Sequence, residues 1–227
     1  MMDVSLDTDI TIHLYNAGKE ELLFKYFDKI YIHEFILEKE MRNKSIDVYN
    51  KIHNEINNGK IILVNQHYLI NIGMKKSFED KLYEVKILFD FGEANAVALA
   101  SVLGIAALIT DDTKEHGPHD TLVNEYIEDI IPFAFYELLY LEYLQSDDAF
   151  DQLKYDYDTI NHIAYPEHPM DFLSRMKRTV RRFSSRGSNR DLIWMNTFCE
   201  ERSIDYKLKM RMLHSHLIEE ENNRFGE

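Results

Sequence analysis

The chain has 227 residues, 45% of them hydrophobic and 29% charged, and its formal net charge is −14. This is the composition of an ordinary globular protein, long enough for one large domain with an extension or for two small domains. No apolar stretch approaches the roughly 20 residues that cross a bilayer, and the N-terminus lacks the pattern of a signal peptide. A single cysteine, Cys199, excludes an intramolecular disulfide, so we expect a cytoplasmic protein with no membrane partner.

In chain order, predicted strands alternate with predicted helices over about the first 140 residues. Short apolar or β-branched runs predict strands over residues 4–7, 29–33, 60–64, 105–110 and, more weakly, 127–131. Helical spacing predicts helices over residues 10–15, 20–27, 34–41, 45–57 and 78–89, and an alanine-rich helix after Gly92. This alternation is typical of a doubly wound α/β fold with a sheet of mainly parallel strands flanked by helices.

The remainder of the chain is predicted to be mainly helical. Helices are expected over residues 133–144, 149–163, 171–183, 190–201 and 204–222. An exposed connection at residues 145–148 separates the first of these helices from the others. We therefore divide the chain into an α/β domain, residues 1–145, and a helical C-terminal extension, residues 146–227.

The charge is distributed unevenly along the chain. Residues 1–170 contain 14 Lys or Arg and 31 Asp or Glu, whereas residues 171–227 contain 12 and 9. An acidic protein does not attract nucleic acid as a whole, but a local basic segment can do so. The extension has such a segment at residues 174–190, which contains seven basic residues and no acid.

The basic segment predicts a nucleic-acid-binding helix. Arg175, Arg178 and Arg182 fall on one helical face, and Lys177 and Arg181 fall on a neighbouring row. These five side chains are predicted to contact a phosphate backbone, with the salt dependence that counterion release brings. The alternative is a solvated helix face that is neutralised by the acidic part of the chain.

Acidic residues follow two of the predicted strands and open one helix. Asp7 ends the first strand, Asp111 and Asp112 follow the strand at 105–110, and Glu93 opens the alanine-rich helix. Ligands of parallel sheets bind beyond the carboxyl ends of the strands, so these carboxylates are expected to form one oxygen-rich pocket. Such a pocket suits Mg²⁺ or Mn²⁺ and predicts metal-assisted phosphoryl chemistry.

Three segments together resemble the PIN domain, a nuclease family. The first resembles a strand-end Asp followed by Thr, the second an acid that opens an alanine-rich helix, and the third a strand that ends in Thr and Asp. In chain order they are Leu6-Asp7-Thr8-Asp9-Ile10, Gly92-Glu93-Ala94-Asn95-Ala96-Val97-Ala98-Leu99-Ala100 and Leu108-Ile109-Thr110-Asp111-Asp112. With the order of the elements, the resemblance covers about residues 3–140.

The resemblance implies four catalytic acids. Asp7, Glu93 and Asp112 match three of the positions and would also be metal ligands, with Asp111 sharing that role. The fourth acid is expected on the helix after the second strand, where Glu38 matches by distance from the strand end and Glu40 by local pattern. We predict Glu38 and keep Glu40 as the second candidate. The hydroxyls of two threonines would orient a carboxylate or the scissile phosphate, namely Thr8 and Thr110.

The resemblance also implies an activity. It predicts a metal-dependent endoribonuclease that uses Mg²⁺ or Mn²⁺, of the kind found among toxin–antitoxin ribonucleases. RNA is then the substrate, and a protein antitoxin or a second copy of the chain is a further partner. The alternative is a PIN-fold protein that binds nucleic acid or regulates without catalysis. A phosphatase or receiver-like domain is disfavoured, because no lysine follows a predicted strand in the required position.

Overall fold

Five parallel strands form the sheet of this protein. The computed structural model describes residues 2–110, 129–147 and 149–225. The strands are β1 (Met2–Leu6), β2 (Phe27–His33), β3 (Ile61–Val64), β4 (Ala107–Ile109) and β5 (Ile131–Phe133). Their order is β3-β2-β1-β4-β5, and every pair of neighbours is parallel. The predicted α/β architecture, a parallel sheet flanked by helices, is therefore confirmed.

The last strand differs from its prediction. β5 includes Pro132 and runs to Phe133, whereas the sequence places a strand over residues 127–131 that stops before the proline. Proline has no N–H and is tolerated on an edge strand, because one side of such a strand has no neighbour to bond. β5 is at the edge of the sheet, paired to β4 alone among the described strands.

The chain divides into two units, Met1–Phe135 and Tyr136–Glu227. The helices of the first unit are α1 (Thr8–Asn16), α2 (Glu21–Tyr26), α3 (Arg42–Lys44), α4 (Ile46–Asn57), α5 (Gln66–Asn71), α6 (Lys75–Val85) and α7 (Phe91–Leu103). Those of the second are α8 (Phe135–Gln145), which spans the boundary, α9 (Phe150–Ala164), α10 (Phe172–Arg182), α11 (Asn189–Glu201) and α12 (Tyr206–Phe225). None of the described helices is long and apolar enough to cross a bilayer.

The division between the units lies ten residues before the predicted one at residue 145. Helix α8 carries side chains that bond to the second unit, which explains the earlier boundary. The Tyr140 hydroxyl donates to the Tyr206 hydroxyl at 3.3 Å, and Glu137 accepts from Arg182 at 2.6 Å. The helix thus supplies part of the buried core of the C-terminal unit.

The order of the strands reverses at β1. From β1 the chain builds one side of the sheet through β2 and β3, and then crosses to the other side to add β4 and β5. The carboxyl ends of β1 and β4 therefore lie side by side, and the Asp7 N–H donates to the Ile109 carbonyl at 3.1 Å. This reversal is the place where doubly wound sheets bind ligands.

Helix α7 packs closely on the central strand. Its alanines are fully buried, including Ala94, Ala96 and Ala98. Their small side chains let the helix backbone approach β1, where the buried Ser5 hydroxyl donates to the Ala96 carbonyl at 3.0 Å. Close packing of this helix fixes the position of its N-terminus at the carboxyl edge of the sheet.

The helix that follows β2 contains a π-helical turn. Residues Ile36–Met41 form a π-helix, and the Arg42 N–H accordingly donates to the Leu37 carbonyl, five residues earlier. The buried side chains of this segment, Ile36, Leu37 and Met41, include a pair spaced by five residues. The sequence predicts an ordinary helix here, and π-helical turns are frequent at functional sites.

Candidate acidic site

Asp7 is the central carboxylate of the candidate site. It follows β1, is 7% exposed, and is the residue that caps helix α1. Its Oδ1 accepts from the Thr8 N–H at 2.7 Å, and its Oδ2 accepts from the Thr110 hydroxyl at 3.4 Å. The sequence correctly places Asp7 at the end of the first strand.

Burial makes the ionised form of Asp7 unfavourable. The loss of hydration raises the pKa of Asp7 to about 8, against the lowering effect of the Thr8 N–H. The negative charges of Asp9, Asp90 and Glu40 raise it further. A carboxyl group in this setting gains from a nearby cation more than an exposed carboxylate does, because the cation offsets both burial and repulsion.

Thr8 connects Asp7 to a second acid. Its backbone N–H bonds Asp7, while its buried hydroxyl donates to Oε2 of Glu40, which comes from the π-helical turn. One residue therefore orients two carboxylates from separate elements. This is one of the two orienting roles predicted for Thr8, whose other predicted partner is the scissile phosphate.

Glu40 lies against the N-terminus of α7. A β-carbon added to the buried Gly92 would be 2.5 Å from Oε1 of Glu40 and still closer to Oε2. Only glycine leaves room for the carboxylate at this position. The positive end of the helix dipole also favours a negative charge there.

The geometry does not place the predicted fourth acid, Glu38, beside Thr8. Its carboxylate instead accepts from the Tyr49 hydroxyl at 3.2 Å, lies 3.2 Å from His53 Nε2, and pairs with Arg42 at 3.6 Å. Helical residues two positions apart face different directions, and Glu38 and Glu40 accordingly contact different parts of the protein. We therefore replace Glu38 by Glu40 in the candidate site.

Glu93 forms part of a capping box at the start of α7. Its backbone N–H donates to Asp90 Oδ1 at 2.9 Å, and its Oε2 accepts from the Asp90 N–H at 3.3 Å. The side chain is 9% exposed. Glu93 thus has a structural role in holding the helix N-terminus, which is compatible with a further contact because a carboxylate offers about four lone-pair sites.

Thr110 lies beside Asp7, while its two acidic neighbours are outside the described residues. Thr110 is 3% exposed, and its backbone N–H donates to the Phe133 carbonyl at 3.0 Å. The predictions for Asp111 and Asp112 fall on residues 111–128, which the structure does not describe.

Two further charged residues act on the candidate site. Asp90 caps α7, and its charge raises the pKa of Asp7. Lys44 Nζ contacts Asp9 Oδ1 at 2.6 Å. Burial lowers the pKa of Lys44, but Asp9, Glu40 and Asp7 raise it by more, so the ammonium form is favoured. Sequence reasoning missed both; for Asp90, the signal was an Asp three residues before Glu93, the spacing of a capping box.

The described acids fit a metal ion only in part. Within residues 2–110, 129–147 and 149–225, no three His, Cys, Asp or Glu side chains are grouped so that they could hold a metal ion. Mg²⁺ does not require such a group, since it is often bound by one or two carboxylates, water and substrate phosphates. Asp7 and Glu40 are the described side chains that suit this role.

The predicted nucleic-acid-binding residues of α10 do not form one surface. Arg182 is buried: its Nη1 contacts Glu137 at 2.6 Å and its Nε contacts Asp191 at 2.7 Å. Its side chain is 12% exposed and engaged by two buried acids, so this geometry does not support contact with a phosphate, and the role of Arg182 in binding nucleic acid stays a prediction. The other four are less buried: Arg175 lies 5.8 Å from the Tyr136 ring centre, and Lys177, Arg178 and Arg181 are exposed.

Comparison with known proteins identifies no relative of this chain. No protein-family model, curated protein or solved structure matches it.

Proposed function

We propose that the protein is a metal-dependent nuclease with a PIN-like N-terminal unit, and that RNA is its substrate. The observation that carries this proposal is the buried carboxyl group of Asp7 at the point where the strand order reverses. Its pKa of about 8, raised by burial and by three acidic neighbours, marks a position where a bound cation would favour the ionised carboxylate.

Each described residue of the site would have a separate role. Asp7 and Glu40 would hold Mg²⁺ or Mn²⁺, and Thr8 would keep the two carboxylates oriented. A divalent cation bound there would activate a water and neutralise charge on the phosphoryl oxygens. Glu93 would hold the α7 N-terminus in place, and the resemblance assigns metal binding to Glu93, Asp111 and Asp112 as well.

Lys44 is placed to assist a phosphate. Its ammonium group lies at the surface beside Asp9, and its charge is favoured by the surrounding acids. In the proposed function this exposed cation would attract a phosphate toward the acidic site. The site therefore has both a cation for the substrate and carboxylates for a metal.

The test is cleavage of single-stranded RNA by the full chain with Mg²⁺, Mn²⁺ or EDTA. We expect cleavage only with metal, and a loss of at least about 100-fold in Asp7→Asn, because it removes a proposed metal ligand and the loss of a residue that only supports a ligand already costs up to about 100-fold. Asp80→Asn, on the exposed face of α6, is the matched control and is expected to leave cleavage unchanged.

Two outcomes reject this proposal. Full cleavage in EDTA would exclude a metal-dependent mechanism. RNA binding without cleavage in any metal would favour the alternative, a non-catalytic nucleic-acid-binding protein. The toxin role, an antitoxin partner and a homodimer stay predictions of the resemblance alone.

A further inference from the structure

The C-terminal unit contains a basic groove between two helices. The groove has a volume of about 910 Å³ and lies between α10 and α12, with the loop that follows α10 along one side. Its cationic side chains are Lys177, Arg181, Arg186, Lys207 and Arg211, with His214 beside them. None of the described residues that line it is acidic.

The two helices each contribute one basic row. Lys177 and Arg181 are four residues apart on α10, while Lys207, Arg211 and His214 follow at intervals of four and three on α12. The rows come from segments about thirty residues apart in the chain. Only the packing of α10 against α12 brings them together.

Most of these cations have no acidic partner within the unit. Lys177 pairs with Glu221 at 2.8 Å, beside the groove. Arg181, Arg186, Lys207 and Arg211 form no ion pair in the part of the chain that the structure describes; Arg211 Nε donates only to the Lys207 carbonyl, at 3.3 Å. Four unneutralised cations in a protein with 40 acidic residues indicate an external anion.

The floor of the groove is apolar. It is formed by Val180, Met210 and the buried Leu217, with three serine hydroxyls at its sides. An apolar floor between cationic walls suits a ligand with regularly spaced negative charges and flat apolar faces. A single nucleic-acid strand has both: the cationic walls would follow its backbone, as in other single-strand grooves, and its bases would lie on aliphatic rather than aromatic side chains.

Local hydrogen bonds link the residues of the loop beside the groove. The Gly187 N–H donates to the Ser184 carbonyl at 2.9 Å, and a β-carbon at Gly187 would clash with the Arg182 carbonyl. The Arg186 N–H donates to the Ser184 hydroxyl at 3.3 Å. These contacts order the loop backbone at Arg186 and so reduce the entropy lost when an anion binds.

We propose that this groove binds the phosphate backbone of single-stranded RNA, through the five cations and with bases over the apolar floor. The proposal deepens the nuclease function above, since it assigns a binding region for the substrate class. It differs from the sequence prediction, because it uses the Lys177 and Arg181 row of α10 and excludes the Arg178 and Arg182 row.

The test measures RNA binding under conditions that prevent cleavage. A negative result then counts against the groove and not against the nuclease proposal. A fluorescent single-stranded RNA of about 12 nucleotides, within the range of single-strand site sizes, is titrated with the full chain in EDTA. If five cations contact phosphates, the logarithm of affinity falls with the logarithm of salt with a slope of about −3.5.

Paired charge reversals locate the contact. Arg181→Glu with Arg211→Glu is expected to weaken binding at least about tenfold and to reduce the salt slope by about 1.4, because two phosphate contacts are lost. Arg178→Glu is the matched control: it is exposed on the same helix but does not line the groove. It is expected to weaken binding clearly less than the double variant, because it removes no cation that lines the groove.

Three results would overturn the proposal. They are unchanged RNA affinity in the double variant with an unchanged circular dichroism spectrum, an equal loss in Arg178→Glu, and displacement of the RNA by an equally charged polyglutamate peptide. The last result would assign the groove to an acidic protein segment instead.

Discussion

Two clusters of buried ionisable side chains, one in each unit, are arranged in opposite ways. In the C-terminal unit, Arg182 and Arg190 are balanced by Glu137 and Asp191, with contacts of 2.6 to 2.8 Å. In the N-terminal unit, the buried Asp7 faces the charges of Glu40, Asp9 and Asp90. The balanced cluster maintains a fold. Ionising Asp7 in the unbalanced cluster costs stability, and this is the observation behind the proposed cation site.

The pKa shifts of the two clusters reflect this difference. Burial lowers the pKa of Arg182, but the adjacent Glu137 and Asp191 raise it by more, so its charged form is favoured. Burial raises the pKa of Asp7, and its acidic neighbours raise it further, so its charged form is disfavoured. Burial disfavours the charged form of both side chains. The neighbouring charges decide whether that form is favoured all the same, as for Arg182, or disfavoured further, as for Asp7.

The largest effect is expected from breaking the balanced cluster. Arg182→Ala leaves Glu137 and Asp191 buried with a missing partner and should lower the free energy of unfolding by about 3–5 kcal/mol. Urea denaturation followed by circular dichroism measures this. Arg181→Ala, on the exposed side of the same helix, should change stability by no more than about 0.5 kcal/mol. Similar losses of stability in both variants would show that the ion pairs of Arg182 contribute no more than the exposed Arg181 does.

The unbalanced cluster should give a pH-dependent stability. The folded pKa of Asp7, about 8, exceeds the unfolded value of 3.8, so the folded state holds an extra proton between them. Stability should therefore fall as pH rises, by about 1.4 kcal/mol per pH unit, or about 2.7 kcal/mol between pH 5 and 7.

Asp7→Asn isolates this contribution. The amide does not titrate, so this variant should lack that part of the slope and be the more stable protein at pH 7 and above. Denaturation in EDTA at several pH values checks the expectation. Parallel pH profiles for the variant and the unsubstituted protein would contradict the elevated pKa.

The next prediction distinguishes Glu40 from Glu38, two glutamates of the same helical segment, by their effect on cleavage. Glu40→Gln should lower RNA cleavage by roughly 10- to 100-fold, because it removes a carboxylate next to Thr8. Glu38→Gln is the matched control and should retain cleavage, since its carboxylate contacts Tyr49 and His53 instead. Initial rates at saturating Mg²⁺ decide between them, and a larger loss in Glu38→Gln would restore the prediction from the sequence.

The smallest predicted effect is a loss of activity without a loss of stability. Gly92→Ala should displace the flexible Glu40 side chain and lower cleavage about tenfold, comparable to the loss of a supporting ligand. Stability should be unchanged or rise by up to about 1 kcal/mol, because alanine is the better helix former. Cleavage assays and thermal unfolding of the same sample test both parts. A large loss of stability would indicate that the backbone, rather than Glu40, moves.

Part of the candidate site was predictable because it depends on local patterns. Asp7 follows a short apolar strand at a distance that the sequence fixes, and Glu93 opens a helix marked by its alanines. Glu40 was harder, because a helical pattern does not distinguish it from Glu38. The π-helical turn sets the directions of both side chains, and within it Ile36, Leu37 and Met41 are buried.

Local sequence patterns were also insufficient to assign roles within the basic segment. The periodicity of α10 divides its basic residues into two rows, but both rows have the same charge. Packing buries Arg182 against Glu137, 45 residues earlier in the chain, and leaves Arg181 exposed. The second wall of the groove comes from Lys207 and Arg211, beyond another helix. No local pattern links these residues to α10.

The sequence by itself therefore determined most of the elements, the α/β class and the position of Asp7 at a strand end, because strand and helix periodicities and the capping preferences of Asp and Glu are local. It did not predict the short helix α5 or the proline-containing edge strand β5. The tertiary structure decided which acid joins Asp7, which arginine is buried and which cations meet in the groove. These outcomes depend on contacts between residues far apart in the chain, where burial and the sign of the neighbouring charge determine the role of each side chain.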